Sequence, residues 1–220
     1  MSSLSASILA CRHTQIGSQV SRAVKAGASF IHIDIMDGVY VQNMTFGPQL
    51  IAELRQETDT PISIHFETFD PERMYSLFEN SGADIFTFQM DACSNPIHLI
   101  QRIKKSGKKV CVGIGPAYPV SSVQYVIQHL DYLTVMSVEP GYGGQRFEES
   151  VYGKLREVRA LIDSKGLKMQ VAVDGGVNAH NIPLLKQAGA DIMICGTSLF
   201  REDRIEENAA VLLQACSKKE

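Results

Sequence analysis

The chain has 220 residues, of which 45% are hydrophobic and 20% charged, and its formal net charge is −3. This is ordinary globular composition, and the scattered Lys and Arg residues exclude a basic stripe, so we expect no nucleic-acid partner. No apolar run approaches the ~20 residues of a membrane-spanning helix, so we expect no membrane partner. The N-terminus does not resemble a signal peptide, and the five cysteines include no C-x-x-C pair. These features predict a reducing, cytoplasmic location.

Short β-branched runs alternate with longer amphipathic stretches along the whole chain. Strands are predicted at residues 4–9, 30–36, 62–66, 85–88, 110–114, 132–137, 170–174 and 192–195. Helices are predicted at residues 15–25, 49–56, 71–80, 96–105, 119–129, 150–164, 179–187 and 204–215. Eight strand–helix repeats without a linker predict a single (β/α)8 TIM barrel domain over residues 1–220. The competing doubly wound sheet would need a glycine-rich turn after the first strand, where this chain has ACRHTQ.

Polar side chains alternate with isoleucine and valine in several of these strands. In a barrel, strand side chains point alternately to the lumen and to the surrounding helices. If the isoleucines of FIHIDIM face the helices, His32 and Asp34 face the lumen, and the same alternation places His65 and Asp174 inside. Ser7 follows the same rule in LSASIL.

Two imidazoles and two carboxylates near the carboxyl ends of barrel strands lie where such barrels carry their active sites. Each of these residues alone could serve only a local hydrogen bond, but four in phase on three strands favour a shared ion. The mixed nitrogen and oxygen ligands predict one divalent metal, Zn²⁺, Fe²⁺, Mn²⁺ or Co²⁺, rather than Ca²⁺ or Mg²⁺. The remaining histidines, His13, His98, His129 and His180, lie in or beside predicted helices and are expected at the surface.

Glycine-rich segments follow the last three predicted strands, as EPGYGGQ, DGGV and CGTSLF. Barrels of this kind bind phosphate in the loops after strands seven and eight, where glycine lets backbone N–H groups approach the anion. Thr197 and Ser198 could add hydroxyl donors, and Arg146 is the one basic residue nearby. We therefore expect a small phosphorylated substrate. No lysine ends a predicted strand, which argues against Schiff-base aldolase chemistry.

The motifs SASIL, HIDIMDGVYVQNMTFGP, MSVEPGYGGQRF, VDGGV and AGAD…CGTSLF together resemble the ribulose-phosphate 3-epimerase family over residues 5–200. The resemblance implies a ribulose-phosphate-binding (β/α)8 barrel that inverts C3 of a ketose phosphate, D-ribulose 5-phosphate to D-xylulose 5-phosphate. It implies two-base proton transfer by Asp34 and Asp174 through a metal-stabilised enediolate. It also implies a Zn²⁺ or Fe²⁺ cofactor and a homo-oligomer, a dimer or larger.

By the same resemblance, the metal ligands would be His32, Asp34, His65 and Asp174. The residues that would contact the ketose and its phosphate are Ser7, His65, Gly141, Tyr142, Gly143, Gly144, Gly175, Gly176, Gly196 and Thr197.

The chain departs from the family pattern around the expected sugar site. The family usually has Leu-Met after the strand-three histidine, where this chain has Phe66-Glu67, and Gln89 and Glu139 replace the usual His and Asn. These departures keep other ketose-phosphate 3-epimerases open, including an allulose 6-phosphate 3-epimerase. A catalytically silent sugar-phosphate sensor is a further alternative, and a metal-independent decarboxylase or lyase is disfavoured because such sites generally need a lysine.

Overall fold

A computed structural model describes residues 2–217, in which eight parallel strands close into a barrel in the order β1 to β8. The strands are β1 (Ser3–Ser7), β2 (Phe30–Met36), β3 (Ile62–Glu67), β4 (Ile85–Gln89), β5 (Lys109–Ile114), β6 (Tyr132–Met136), β7 (Gln170–Asp174) and β8 (Ile192–Cys195). Every predicted strand is present within two residues at each end. The predicted barrel is therefore confirmed.

Helices surround the strands and complete most of the crossovers. They are α1 (Ile16–Lys25), α2 (Pro48–Glu57), α3 (Pro71–Phe78), α4 (Pro96–Lys105), α5 (Val151–Ser164), α6 (Ile182–Ala188), α7 (Thr197–Phe200) and α8 (Ile205–Ser217). Proline occupies one of the first two helical positions in α2, α3, α4 and α6, where its missing N–H would have had no intrahelical acceptor. Within residues 2–217, no helix combines the length and apolar character needed to cross a membrane.

The predicted helix over residues 119–129 is wrong. This crossover instead contains two 3₁₀ turns, Val120–Val123 and Ile127–His129. Its backbone bonds join residues three apart, as in Gln124 N–H to Ser121 and Val126 N–H to Val123. The segment is rich in β-branched valine and in serine, which favour helices weakly, and the Ser122 hydroxyl donates to the Pro119 carbonyl.

Side-chain alternation divides the core into two layers. One cluster lies between the strands and the helices and includes Ile31, Ile33 and Ile35 of β2, all fully or almost fully buried. A second, smaller cluster fills the lumen with alternate residues of β7 and β8, including Ala172 and Ile194. The isoleucines thus face the helices, as predicted, and the intervening polar residues of β2 face the lumen.

Aspartate side chains join neighbouring strands by hydrogen bonds at the amino-terminal end of the barrel. Each precedes an even-numbered strand and accepts a hydrogen bond from the backbone N–H of the strand before it: Asp84 from Ile62, Asp131 from Val110 and Asp191 from Val171. Asp84 and Asp191 also form ion pairs with Arg55 and Arg159. This end of the barrel therefore uses its carboxylates for stability, as is typical of the fold.

We expect Phe86→Ala to lower the free energy of unfolding by about 3–5 kcal/mol, because it opens a cavity in the layer between strands and helices. Phe86 is fully buried, and its ring centroid lies 5.0 Å from that of Tyr75 and 6.0 Å from that of Phe66. Urea denaturation followed by circular dichroism measures the change.

Tyr125→Ala is the matched control, because Tyr125 is 78% exposed and its loss should change stability by no more than about 0.5 kcal/mol. Equal losses in the free energy of unfolding of the two variants would contradict the assignment of the core to this layer.

Candidate active site

The register of three strands brings the predicted histidines and aspartates into one cluster inside the barrel. Asp34 on β2 lies opposite His65 on β3, and His32 lies opposite Ser7 on β1. Asp174 ends β7 and reaches the cluster from across the lumen. All four members of the His/Asp cluster, His32, Asp34, His65 and Asp174, are buried.

Short contacts join the cluster through one atom of each side chain. His32 Nε2 lies 3.0 Å from Asp34 Oδ1 and 3.2 Å from Asp174 Oδ2. His65 Nδ1 lies 3.4 Å and 3.7 Å from the same two oxygens. The other oxygen of Asp34, Oδ2, accepts a hydrogen bond of 3.2 Å from the Ser7 hydroxyl. Both carboxylates therefore face both imidazoles.

The charges of the cluster stabilise one another. Burial disfavours the charged form of His32, but the Asp34 and Asp174 carboxylates outweigh this and raise its pKa to about 10. Burial acts on His65 in the same way, and its interactions with Asp174 and Asp34 raise its pKa to about 9. Burial alone would raise the pKa of each aspartate, but the adjacent imidazoles hold the pKa of Asp34 and of Asp174 below its usual range. Two positive imidazoles thus balance two carboxylates.

The cluster has the composition and geometry of a divalent-metal site. The four donor atoms lie within 4.8 Å of one another. The contacts of His65 Nδ1 lack hydrogen-bond geometry, and both of its ring nitrogens are buried without a hydrogen-bond partner. A dication that displaced the two imidazole protons would keep the same net charge and give the nitrogens a partner, because metals bind neutral imidazole. These residues therefore fit such an ion.

A cavity of about 290 Å³ opens from the cluster toward the carboxyl ends of the strands. Asp34, Asp174 and Ser7 lie in its wall. The predicted phosphate-binding residues also line it: Gly141, Tyr142, Gly143, Gly144, Gly175, Gly176, Gly196 and Thr197. His32 and His65 are almost fully buried and do not line it. The predicted site residues thus surround one cavity, with the two histidines behind its wall.

The loop after β7 depends on glycine at two successive positions. Gly175 and Gly176 have φ of +108° and +59°, a region that disfavours other residues. A Cβ at position 175 would lie 2.5 Å from Val138 Cγ2. These two glycines therefore let the backbone turn sharply beside the cavity. After β8, helix α7 begins at Thr197, and its first backbone N–H groups have no intrahelical acceptor.

Two expectations about this glycine-lined region differ from the structure. Ser198 lines the cavity, but its hydroxyl donates to the Val177 carbonyl at 2.7 Å and so is not free to donate to a ligand. Arg146 is exposed and does not line the cavity, whereas Arg201 does. Arg201 follows α7, where nothing in the sequence pattern indicates which way its side chain points.

Met36 and Glu67 also line the cavity, although neither is among the predicted metal and substrate ligands. Met36 lies two residues beyond Asp34 on β2, and Glu67 lies two residues beyond His65 on β3. Each therefore points to the lumen, as that cluster member does. The same alternation that predicts the cluster could have predicted both. Burial and the nearby charge of Asp34 raise the pKa of Glu67 to about 8.

Comparison with known proteins agrees with this geometry. Residues 3–200 match the model of the ribulose-phosphate 3-epimerase family. The chain is 38% identical over 195 residues to a ribulose-phosphate 3-epimerase of Bacillus subtilis, covering 88% of this chain and 90% of the relative. It is 39% identical over 195 residues to the Escherichia coli protein of the same name, covering 88% of this chain and 87% of that one.

A more distant solved structure shares the fold alone. The 3-hexulose-6-phosphate synthase of Salmonella typhimurium superimposes with a TM-score of 0.71 at 16% identity, covering 98% of each chain. The family match extends over most of the chain and includes all four members of the His/Asp cluster. This chain therefore belongs to the ribulose-phosphate 3-epimerase family.

Proposed function

We propose that this protein is a metal-dependent epimerase that interconverts D-ribulose 5-phosphate and D-xylulose 5-phosphate by inverting C3. The observation that carries the proposal is the buried His/Asp cluster opening onto a glycine-lined cavity, in a chain of this family. The names of the curated relatives support the same reaction.

In this proposal His32, Asp34, His65 and Asp174 hold one divalent metal. The mixed imidazole and carboxylate set favours Zn²⁺ or Fe²⁺, with Mn²⁺ and Co²⁺ as substitutes. When bound, the dication would polarise the C2 carbonyl of the ketose and so make the adjacent C3 proton more acidic. The Ser7 hydroxyl would keep Asp34 oriented through its hydrogen bond to Oδ2.

Asp34 and Asp174 would carry the proton transfers. Inversion requires that a proton leave one face of C3 and that another arrive on the opposite face, which a single base cannot easily do. The two carboxylates come from β2 and β7, on either side of the β1–β8 pair. With the ketose bound, one aspartate must be ionised to accept the C3 proton and the other must be protonated to return one. In each direction one aspartate takes the C3 proton, leaving an enediolate, and the other returns a proton in its acid form.

The loops after β6, β7 and β8 would hold the phosphate and the distal part of the sugar. Their lining residues are mostly glycines, so backbone N–H groups can approach an anion, and Thr197 adds a hydroxyl.

We further propose a single catalytic domain, a cytoplasmic location and a homo-oligomer, a dimer or larger. The described cysteines are all free, as a reducing compartment would require, and exposed Val39 and Phe69 support self-association.

We expect His65→Ala to lower metal affinity about 100-fold or more, since it removes one of the four donors, and even outer partners of metal ligands are worth 10–100-fold. Competition with a chromogenic chelator measures affinity, and elemental analysis after dialysis measures stoichiometry.

His98→Ala is the control, because His98 is exposed and lies outside the cluster. Unchanged affinity in His65→Ala, or equal loss in both variants, would contradict the proposed metal site.

We expect Asp34→Asn and Asp174→Asn each to lower kcat for epimerisation by about 10²–10⁴-fold, because each removes one proton-transfer group. In ²H₂O, each variant should still exchange the C3 proton of the one epimer whose hydrogen faces its remaining carboxylate. The two variants should therefore exchange opposite epimers, which NMR can follow.

Asp163→Asn, on the exposed surface of α5, is the control and should epimerise at the wild-type rate. Loss of exchange with the same epimer in both aspartate variants would refute the two-base assignment.

Ribulose 5-phosphate and allulose 6-phosphate should be compared side by side, and a higher kcat/KM for the hexose would move the assignment to that sugar. If neither is turned over yet both bind, the protein is a sugar-phosphate sensor.

A further inference from the structure

Glu67 is a buried polar residue that the proposed reaction does not use. It is the last residue of β3 and is only 3% exposed, yet it lines the cavity. Its Oε2 atom is buried without a hydrogen-bond partner. Since buried carboxyl groups nearly always have a partner, an unpartnered carboxyl group in the wall of a cavity indicates a ligand that supplies a donor there.

The position of Glu67 relative to the cluster indicates which part of a ligand it would meet. It lies two residues beyond His65 on the same side of β3, roughly 7 Å nearer the mouth of the barrel. On β2, its neighbour is Met36, which also lines the cavity. In the closed ring of eight strands, β3 lies opposite β7, whose loop contributes Gly175 and Gly176. Glu67 is thus across the cluster from the glycine-lined region.

A ketose phosphate bound as proposed would reach Glu67 with its terminal carbon. Its phosphate would lie among the glycines, and C2 and C3 would lie at the His/Asp cluster. C1 is attached to C2 on the side away from the phosphate, so its hydroxyl would project toward β3. This inference rests on the proposed function, because it uses the orientation of that substrate.

We propose that Glu67 determines specificity by accepting a hydrogen bond from the C1 hydroxyl of the ketose phosphate. A carboxyl oxygen can accept such a bond whether or not the group carries a proton. The methionine that is usual at this position in the family offers only a weak acceptor. The contact therefore belongs to this chain and not to the family pattern.

Gln89 is the neighbour of Glu67 on β4. Phe66 and Phe88 are opposite each other on β3 and β4, so the next residues, Glu67 and Gln89, are neighbours in register. Gln89 is fully buried, does not line the cavity, and neither of its amide atoms has a hydrogen-bond partner. Gln89 therefore donates no hydrogen bond to Glu67 in this structure, and the Glu67 carboxyl group stays open to a ligand.

Turnover of D-xylulose 5-phosphate and 1-deoxy-D-xylulose 5-phosphate by the metal-loaded enzyme tests the proposal, since the second compound lacks only the C1 hydroxyl. The ratio of their kcat/KM values, from C3 exchange in ²H₂O, is measured for the wild type, Glu67→Met and Glu67→Gln. Any difference in intrinsic reactivity between the two compounds cancels when these ratios are compared. We expect the ratio for D-xylulose 5-phosphate over its 1-deoxy analogue to fall in Glu67→Met by about 2- to 12-fold, the value of one hydrogen bond between uncharged groups. Glu67→Gln keeps an acceptor oxygen and should retain most of the discrimination.

Glu149→Met, at an exposed position, is the matched control and should leave the ratio unchanged. Metal stoichiometry and affinity should equal those of the wild type in Glu67→Met, and a loss of metal would overturn the proposal by making Glu67 a ligand. An unchanged ratio in Glu67→Met would also overturn it while leaving the epimerase proposal intact. If the wild type exchanges C3 in neither compound, both proposals fail.

Discussion

The structure depends on the burial of two carboxylates that face each other at the centre of a barrel. Asp34 and Asp174 could not both stay ionised there without compensating positive charge, since an isolated buried carboxylate is strongly disfavoured. The imidazoles of His32 and His65 provide that charge at contacts of 3.0 to 3.7 Å. The same balance is met when a dication replaces the two imidazole protons. One arrangement of four side chains therefore suits both the stability of the barrel and a metal-assisted reaction.

The two ends of the barrel use carboxylates for different purposes. At the amino-terminal end, Asp84, Asp131 and Asp191 accept backbone hydrogen bonds and join neighbouring strands. At the carboxyl-terminal end, Asp34 and Asp174 face a cavity and glycine-rich loops. Because the amino-terminal aspartates and the layer between strands and helices lie outside the cavity wall, positions such as Glu67 can vary without disturbing either of them. Variation of this kind would change which sugar is recognised while the chemistry is kept.

Alternation within strands predicts much of this molecule from sequence, because a period of two is simple and the barrel closes with eight repeats. It correctly places His32, Asp34, His65 and Asp174 inside. Local pattern fails where tertiary context decides. Residues 119–129 look helical after a proline but form two 3₁₀ turns, and the Ser198 hydroxyl bonds to a carbonyl of another loop. Alternation predicts that Glu67 shares the lumen-facing side of β3 with His65, but its lack of a hydrogen-bond partner depends on the neighbouring residues of β2 and β4.

The central claim is that the four side chains of the His/Asp cluster hold one dication beside the reacting carbon of a ketose phosphate. Anomalous diffraction from crystals soaked with Zn²⁺ and then with xylulose 5-phosphate tests it most directly. The account predicts one strong peak at about 2.0–2.2 Å from a nitrogen or oxygen of His32, Asp34, His65 and Asp174, with C3 between the two carboxylates. A peak elsewhere, or carboxylates turned away from C3, would contradict it.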